Sequence, residues 1–159
     1  MIVGLAISLG WSQSGLHESQ LVIVGKVWQD NYYGGSPEAL DSWDSAVTQC
    51  RVILRYAGAE GTADISGGQS PWSIYVSNGR IVSEAQVDEN GVYTFSLNWD
   101  PVGAFTGDID QDVTTVIYRV EVLTPVPGFY NQVFIDSDQI RVTKGNKIIQ
   151  GPQILLFRG

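Results

Sequence analysis

Apolar and polar positions alternate one by one over much of this chain. Tyr93, Phe95, Leu97 and Trp99 point one way, while Val92, Thr94, Ser96 and Asn98 point the other. A period of two is the signature of a strand with one face on a core. "VTTVIYRVEVL" repeats it, with Val116, Tyr118, Val120 and Val122 inward and Thr115, Arg119 and Glu121 outward. "QCRVILRY" puts Cys50, Val52 and Leu54 in one phase and Arg51 and Arg55 in the other. "QLVIVGKVW", Gln20 to Trp28, is apolar in both phases, as in a strand covered on two faces or an arm lying on a neighbour.

Turn chemistry divides these runs. Asn78-Gly79 predicts a hairpin, because both central residues of a type I′ turn need positive φ. "DENG", Asp88 to Gly91, predicts a second hairpin leading into Val92–Asn98. "FYNQVFI", "SDQIRVTKG" and "NKIIQGPQILLFRG" supply further extended segments after the proline turn "TPVPG". The one helical signal is "SPEALDSWDSAV", where Ser36 could cap, Pro37 suits the first helical position and Glu38 the first turn; it predicts one or two turns. About seven to nine short strands, spaced by roughly ten residues, predict an all-β antiparallel sandwich or barrel.

Composition narrows the function. The 159 residues suffice for one domain with a real core. The net charge of −8 leaves no basic stripe to displace counterions from phosphate, so nucleic-acid binding is not expected. Residues 1–48 set Glu18, Asp30, Glu38, Asp41 and Asp44 against Lys26 alone, whereas the last third is more balanced. The single cysteine, Cys50, excludes an intramolecular disulfide and a multi-cysteine zinc site, and its phase marks it as a core residue. The opening "MIVGLAISLGWSQSG" lacks a basic leader and an Ala-x-Ala site, and its apolar run is shorter than the roughly 20 residues of a membrane span. No signal peptide and no membrane partner are expected.

Candidate chemistry is sparse. In "GDIDQD", Asp108, Asp110 and Asp112 reproduce the start of a calcium loop, but Val113 stands where glycine is needed and Arg119 where a bidentate glutamate should close the shell. The expectation is a solvated acidic loop holding at most a structural calcium, and no other cofactor. "DENG" departs further, with Trp99 at the closing position, and reads as a strand corner. No two of Glu84, Glu89, Asp100 and Glu121 are singled out as a glycosidase pair. His17 has no Gly-x-Ser-x-Gly partner motif, so no catalytic residue is assigned. Trp72, Trp43 and the Tyr32-Tyr33 pair read as loop aromatics, suited to interface anchoring or to stacking on sugars.

From Ala46 to Thr143 the order of segments is familiar. The acidic-glycine turn opening an amphipathic strand at Asp88 to Leu97, and the Tyr-x-Val-x-Val strand at Tyr118 to Val122, resemble the Ig-like β-sandwich at the start of phage baseplate upper proteins. The resemblance implies a non-enzymatic phage virion protein, assembled in the host cytoplasm. Its partners would be other virion proteins and copies of itself.

The expected architecture is therefore an antiparallel Ig-like β-sandwich. Residues 1–40 would form an N-terminal arm and first strand, 41–143 the sandwich core, and 144–159 a C-terminal strand or docking tail. Met1, Ile2, Val3, Leu5, Ile7, Leu9, Trp11, Trp72, Ile154, Leu155, Leu156 and Phe157 are the expected interface anchors, joining neighbours by strand addition and apolar burial. The alternative is a carbohydrate-binding module with Trp72, Trp43 and Tyr33 as its stacking platform.

Overall fold

The computed structural model describes residues 20–31, 39–77, 79–99, 113–123, 131–135, 137–145 and 147–158. The alternating runs become strands: β1 (Gln20–Gln29), β2 (Ser45–Ala46), β3 (Arg51–Ile65), β4 (Gly68–Tyr75), β5 (Ile81–Gln86), β6 (Val92–Asn98), β7 (Val113–Val122), β8 (Asn131–Ile135), β9 (Gln139–Thr143) and β10 (Ile148–Phe157). There is no helix among the described residues. Two sheets pack face to face as a β-sandwich. In the first, central β1 is flanked by β10 and then β8 on one side, and by β6 and β2 on the other. In the second, central β3 is flanked by β7 and then β9 on one side, and by β4 and β5 on the other.

The inward phase of each strand builds the core, as the alternation requires. Leu21, Ile23 and Val27 of β1, Tyr93 and Phe95 of β6, and Ile154 and Leu156 of β10 meet Val52, Leu54 and Tyr56 of β3 and Val116, Tyr118 and Val120 of β7. Tyr56 and Tyr118, directly opposite across β3 and β7, stack with ring centroids 5.4 Å apart. Cys50 is buried in this cluster and Arg51 and Arg55 face outward, as their phases predict.

Several expectations are corrected. The sandwich is not wholly antiparallel, because β1 and β10 run parallel from Val22↔Ile148 to Gln29↔Leu156. The first and last described strands are thus the middle of one sheet: the strand expected within 1–40 is β1, and of the two alternatives for 144–159 Ile148–Phe157 is the strand and not a docking tail. The stretch Ala39 to Val47 is not helical. There the Asp41 carboxylate accepts the Trp43 N–H at 2.8 Å and the Asp44 carboxylate accepts the Asp41 N–H at 2.9 Å. Such side-chain acceptors compete with the helical ladder and close a turn instead.

Neither predicted hairpin forms. Asn78 lies outside the described residues, but β4 and β5 do not pair with each other; they lie in line along one edge of β3. The ladder runs on across the link, with the Val76 N–H donating to Ala57 and the Tyr56 N–H donating to Arg80. The hairpin of this sheet is instead β3–β4, turning at Ser66-Gly67, where Gly67 has φ +109°. "DENG" carries the chain from β5 in one sheet to β6 in the other, so it is a corner between sheets.

Candidate functional site

The residues expected to carry function scatter. Asp108, Asp110 and Asp112 lie outside the described residues, as do Met1, Ile2, Val3, Leu5, Ile7, Leu9, Trp11, His17 and Tyr33. Among the described residues no three His, Cys, Asp or Glu side chains gather as a metal site. Ile154, Leu155 and Leu156 are at most 1% exposed within their own domain, so they cannot anchor a neighbour; Phe157 beside them is half-buried. Trp72 is not a loop residue. It sits on β4 opposite Gly61 and packs against the core.

Trp43 is 64% exposed, at the turn before β2. That turn lies at the end of the sandwich where β3 begins, because the Val47 N–H bonds to Val27 and the Val87 N–H to Cys50. Gly61, opposite Trp72, is ten residues further along β3, about 33 Å at the rise of an extended strand. Trp43 and Trp72 therefore occupy opposite ends and opposite sheets. They do not form a common platform for a sugar.

Two other surfaces emerge. The first is the outer face of the β3 sheet, where the outward phase places arginines and carboxylates in rows. Arg51 pairs with Glu84 at 3.5 Å, Arg55 with Glu121 at 3.2 Å, Arg119 with Asp138 at 3.0 Å, and Arg141 with Glu60. The Arg141 guanidinium, seconded by the Tyr75 hydroxyl, holds the Glu60 carboxyl below its ordinary range. Glu84 and Glu121 flank Ile53 in one row, with backbones about 10 Å apart, but each is taken by its own guanidinium on an open face.

A hollow of about 300 Å³ interrupts these rows, lined by Arg55, Tyr56, Gly79, Arg119 and Glu121. Its origin is a defect in the ladder. The β3–β7 register slips between Tyr56 and Gly58, level with the β4–β5 link on the other side of β3. Gly79 comes so close that a Cβ there would lie 1.8 Å from the Tyr56 carbonyl oxygen. The Arg55 guanidinium is fixed by two acceptors, donating from Nε to Glu121 at 3.2 Å and from Nη1 to the Gly79 carbonyl at 3.0 Å.

The second surface is the β4 edge. Ile65 (57% exposed), Ile74, Tyr75 (60%), Val76 and Ile81 are large apolar side chains in solvent along one sheet margin. Among the described residues the β3–β7 pairing ends at Gly61↔Val113, while β3 and β4 stay paired as far as Ile65↔Gly68. β4, "GQSPWSIY", carries no charge. The sequence held a clue, since Ile74, Tyr75 and Val76 are apolar in succession and cannot all face one core.

No protein-family model and no curated protein sequence matches the chain. Among solved structures it is similar to the major plantain pollen allergen Pla l 1, with a TM-score of 0.41 and 12% identity over 87% of this chain and 94% of that one. It is also similar to the shaft pilin SpaA from Lactobacillus rhamnosus GG, with a TM-score of 0.42 and 11% identity over 87% of this chain. The chain spans about half the length of that pilin, 51%.

Proposed function

We propose that this chain is a non-enzymatic structural subunit that works by joining neighbours, with a bacteriophage virion as its setting. The single observation that carries the assembly reading is the β4 edge. An edge strand without charge, with exposed Ile74 and Tyr75 at its end and its outer backbone unpaired among the described residues, is a template for strand addition. Soluble chains usually blunt such edges with lysine or proline or cover them; here Pro71 interrupts the N-terminal half of β4 and leaves Trp72 to Tyr75 as the stretch open to pairing.

The virion setting rests on the likeness of Asp88 to Leu97 and Tyr118 to Val122 to baseplate sandwich domains. Its partners are then copies of itself and other virion proteins. With the net charge at −8, nucleic acid is not among them.

Light scattering over a concentration series tests the edge. The wild type is expected to drift to larger mass with concentration, and Ile74→Lys, which places a charge on the margin, to stay monomeric with its melting temperature unchanged. A wild type that remains monomeric throughout, or association that survives Ile74→Lys, overturns the reading.

A further inference from the structure

The outer face of the β3 sheet offers a site of a different kind. In two of its four ion pairs, Arg51 with Glu84 and Arg141 with Glu60, a guanidinium hydrogen-bonds its carboxylate, with the Tyr75 hydroxyl also donating to Glu60. The central row is different, because Arg55 and Arg119 stand directly opposite each other across β3 and β7. Like charges in that relation repel, with Cβ atoms only about 5 Å apart. Glu121 accepts from Arg55 Nε, and the second Arg55 donor is spent on the Gly79 carbonyl. Asp138 lies 3.0 Å from Arg119 Nε, yet Nε is buried and has no aligned acceptor. Arg119 is thus paired with Asp138 in charge but without an aligned hydrogen bond at Nε, and its half-exposed guanidinium lies beside that of Arg55 at the wall of a 300 Å³ hollow.

From this geometry we propose that the hollow between Arg55 and Arg119 is a binding site for an oxyanion group, Arg119, whose pair with Asp138 lacks an aligned hydrogen bond, supplying the primary contact and Arg55 the flanking charge. Two guanidiniums can each donate to one oxygen of a carboxylate or of a sulfate or phosphate group. Charge-assisted N–H···O contacts of this type are roughly twice as strong as neutral ones. Glu121 and Asp138 already offset the two arginine charges, so an entering oxyanion competes with Asp138 for Arg119, where the Nε–H of the existing pair has no aligned acceptor. The volume, about ten waters at roughly 30 Å³ each, admits such a group with the atoms that carry it. The site adjoins the margin used by the assembly reading, since Gly79 lies in the β4–β5 link and Arg55 pairs with Ile81, but it rests on different side chains, Arg55 and Arg119.

The test follows the arginine Nε–Hε resonances of the full chain by NMR, titrating sodium acetate and sodium sulfate separately at constant ionic strength against chloride. The expected result is a saturable shift at Arg119 and Arg55 with Arg141 unmoved. Arg119→Gln should weaken binding at Arg55 by at least about tenfold, the worth of one charged hydrogen bond, while Arg141→Gln leaves it unchanged. The backbone amide spectrum reports that both variants are folded. Stronger binding of acetate assigns the site to carboxylates, and stronger binding of sulfate to tetrahedral oxyanions; either supports the site. Shifts that never saturate, that appear equally at Arg141, or that respond equally to both variants overturn it.

Discussion

The phenol of Tyr93 reaches across β1 and donates a hydrogen bond to the Pro152 carbonyl at 2.5 Å, joining β6 to β10 with a whole strand between them. It can do so because the residue it crosses is Gly25, its direct partner in the β1–β6 register. A Cβ on Gly25 would lie 2.1 Å from the Tyr93 oxygen and 2.7 Å from the Pro152 oxygen. At the same level the β1–β10 ladder slips between Val24 and Lys26, and Pro152 has no N–H to offer. The tyrosine thus meets a carbonyl that the parallel ladder leaves open, and burial pushes its own ionisation well above the ordinary range.

Tyr93→Phe should therefore cost about 1–3 kcal/mol, since it strands a buried carbonyl rather than removing an exposed contact. Gly25→Ala should cost more, about 3 kcal/mol or above, because the ring and the β10 backbone must both move. Urea unfolding monitored by tryptophan fluorescence gives both values. A Tyr93→Phe midpoint equal to wild type would mean that the Pro152 carbonyl finds another donor.

The corner from Asp88 to Gly91 invites a second experiment. The Asp88 carboxylate accepts the Asn90 N–H at 2.8 Å and the Val92 N–H at 3.0 Å, so its charge is already satisfied by backbone donors. Gly91 has φ +77°, and a Cβ there would meet the Val27 and Val47 carbonyl oxygens at 2.9 Å. Asp88→Ala is expected to lower stability by about 1 kcal/mol, as loss of a cap does, and Gly91→Ala by more. Melting curves with and without millimolar calcium should coincide for Asp88→Ala and wild type alike if the carboxylate serves the turn alone. A calcium-dependent rise in the wild type that Asp88→Ala abolishes would contradict this account.

Alternation made the sandwich legible in the sequence, because Tyr93, Phe95, Val116, Tyr118, Val120 and Val122 could bury themselves in one way only. Pairing was not legible. Asn78-Gly79 has the chemistry of a hairpin, yet β3 is long enough to hold β4 and β5 end to end on one edge, and that non-local pairing outweighs the local preference. The same holds for Ile154 to Leu156, whose apolar run fits a docking tail and a central strand equally until β1 is seen beside it. The oxyanion hollow depends on Arg55 meeting Arg119, residues 64 positions apart, and no local pattern announces such a pair.

Cys50 gives a chemical probe of opening. Burial alone pushes its thiol up to about 11, so almost none of it is thiolate at pH 8. Reaction with a disulfide reagent should be slow in buffer and become fast across the urea transition, in step with fluorescence. Rapid labelling of the native chain would show that the strand end at Cys50 opens locally, apart from global unfolding.

The Glu60–Arg141 pair predicts a pH dependence of definite sign. Arg141 is the larger cause and Tyr75 the smaller one holding the Glu60 carboxyl below its ordinary value of 4.5. A carboxyl whose folded pKa is depressed contributes stability that is complete above the unfolded value and is lost as pH falls through the folded one. Glu60→Gln should accordingly be less stable than wild type at pH 7, by under about 1 kcal/mol, since both side chains are partly in solvent and screened. The gap should close as pH drops below 4.5, and it should also shrink in molar salt. Paired melting curves at pH 7 and pH 3 decide it, and a gap that widens in acid would mean that Glu60 is stabilised in its protonated form instead.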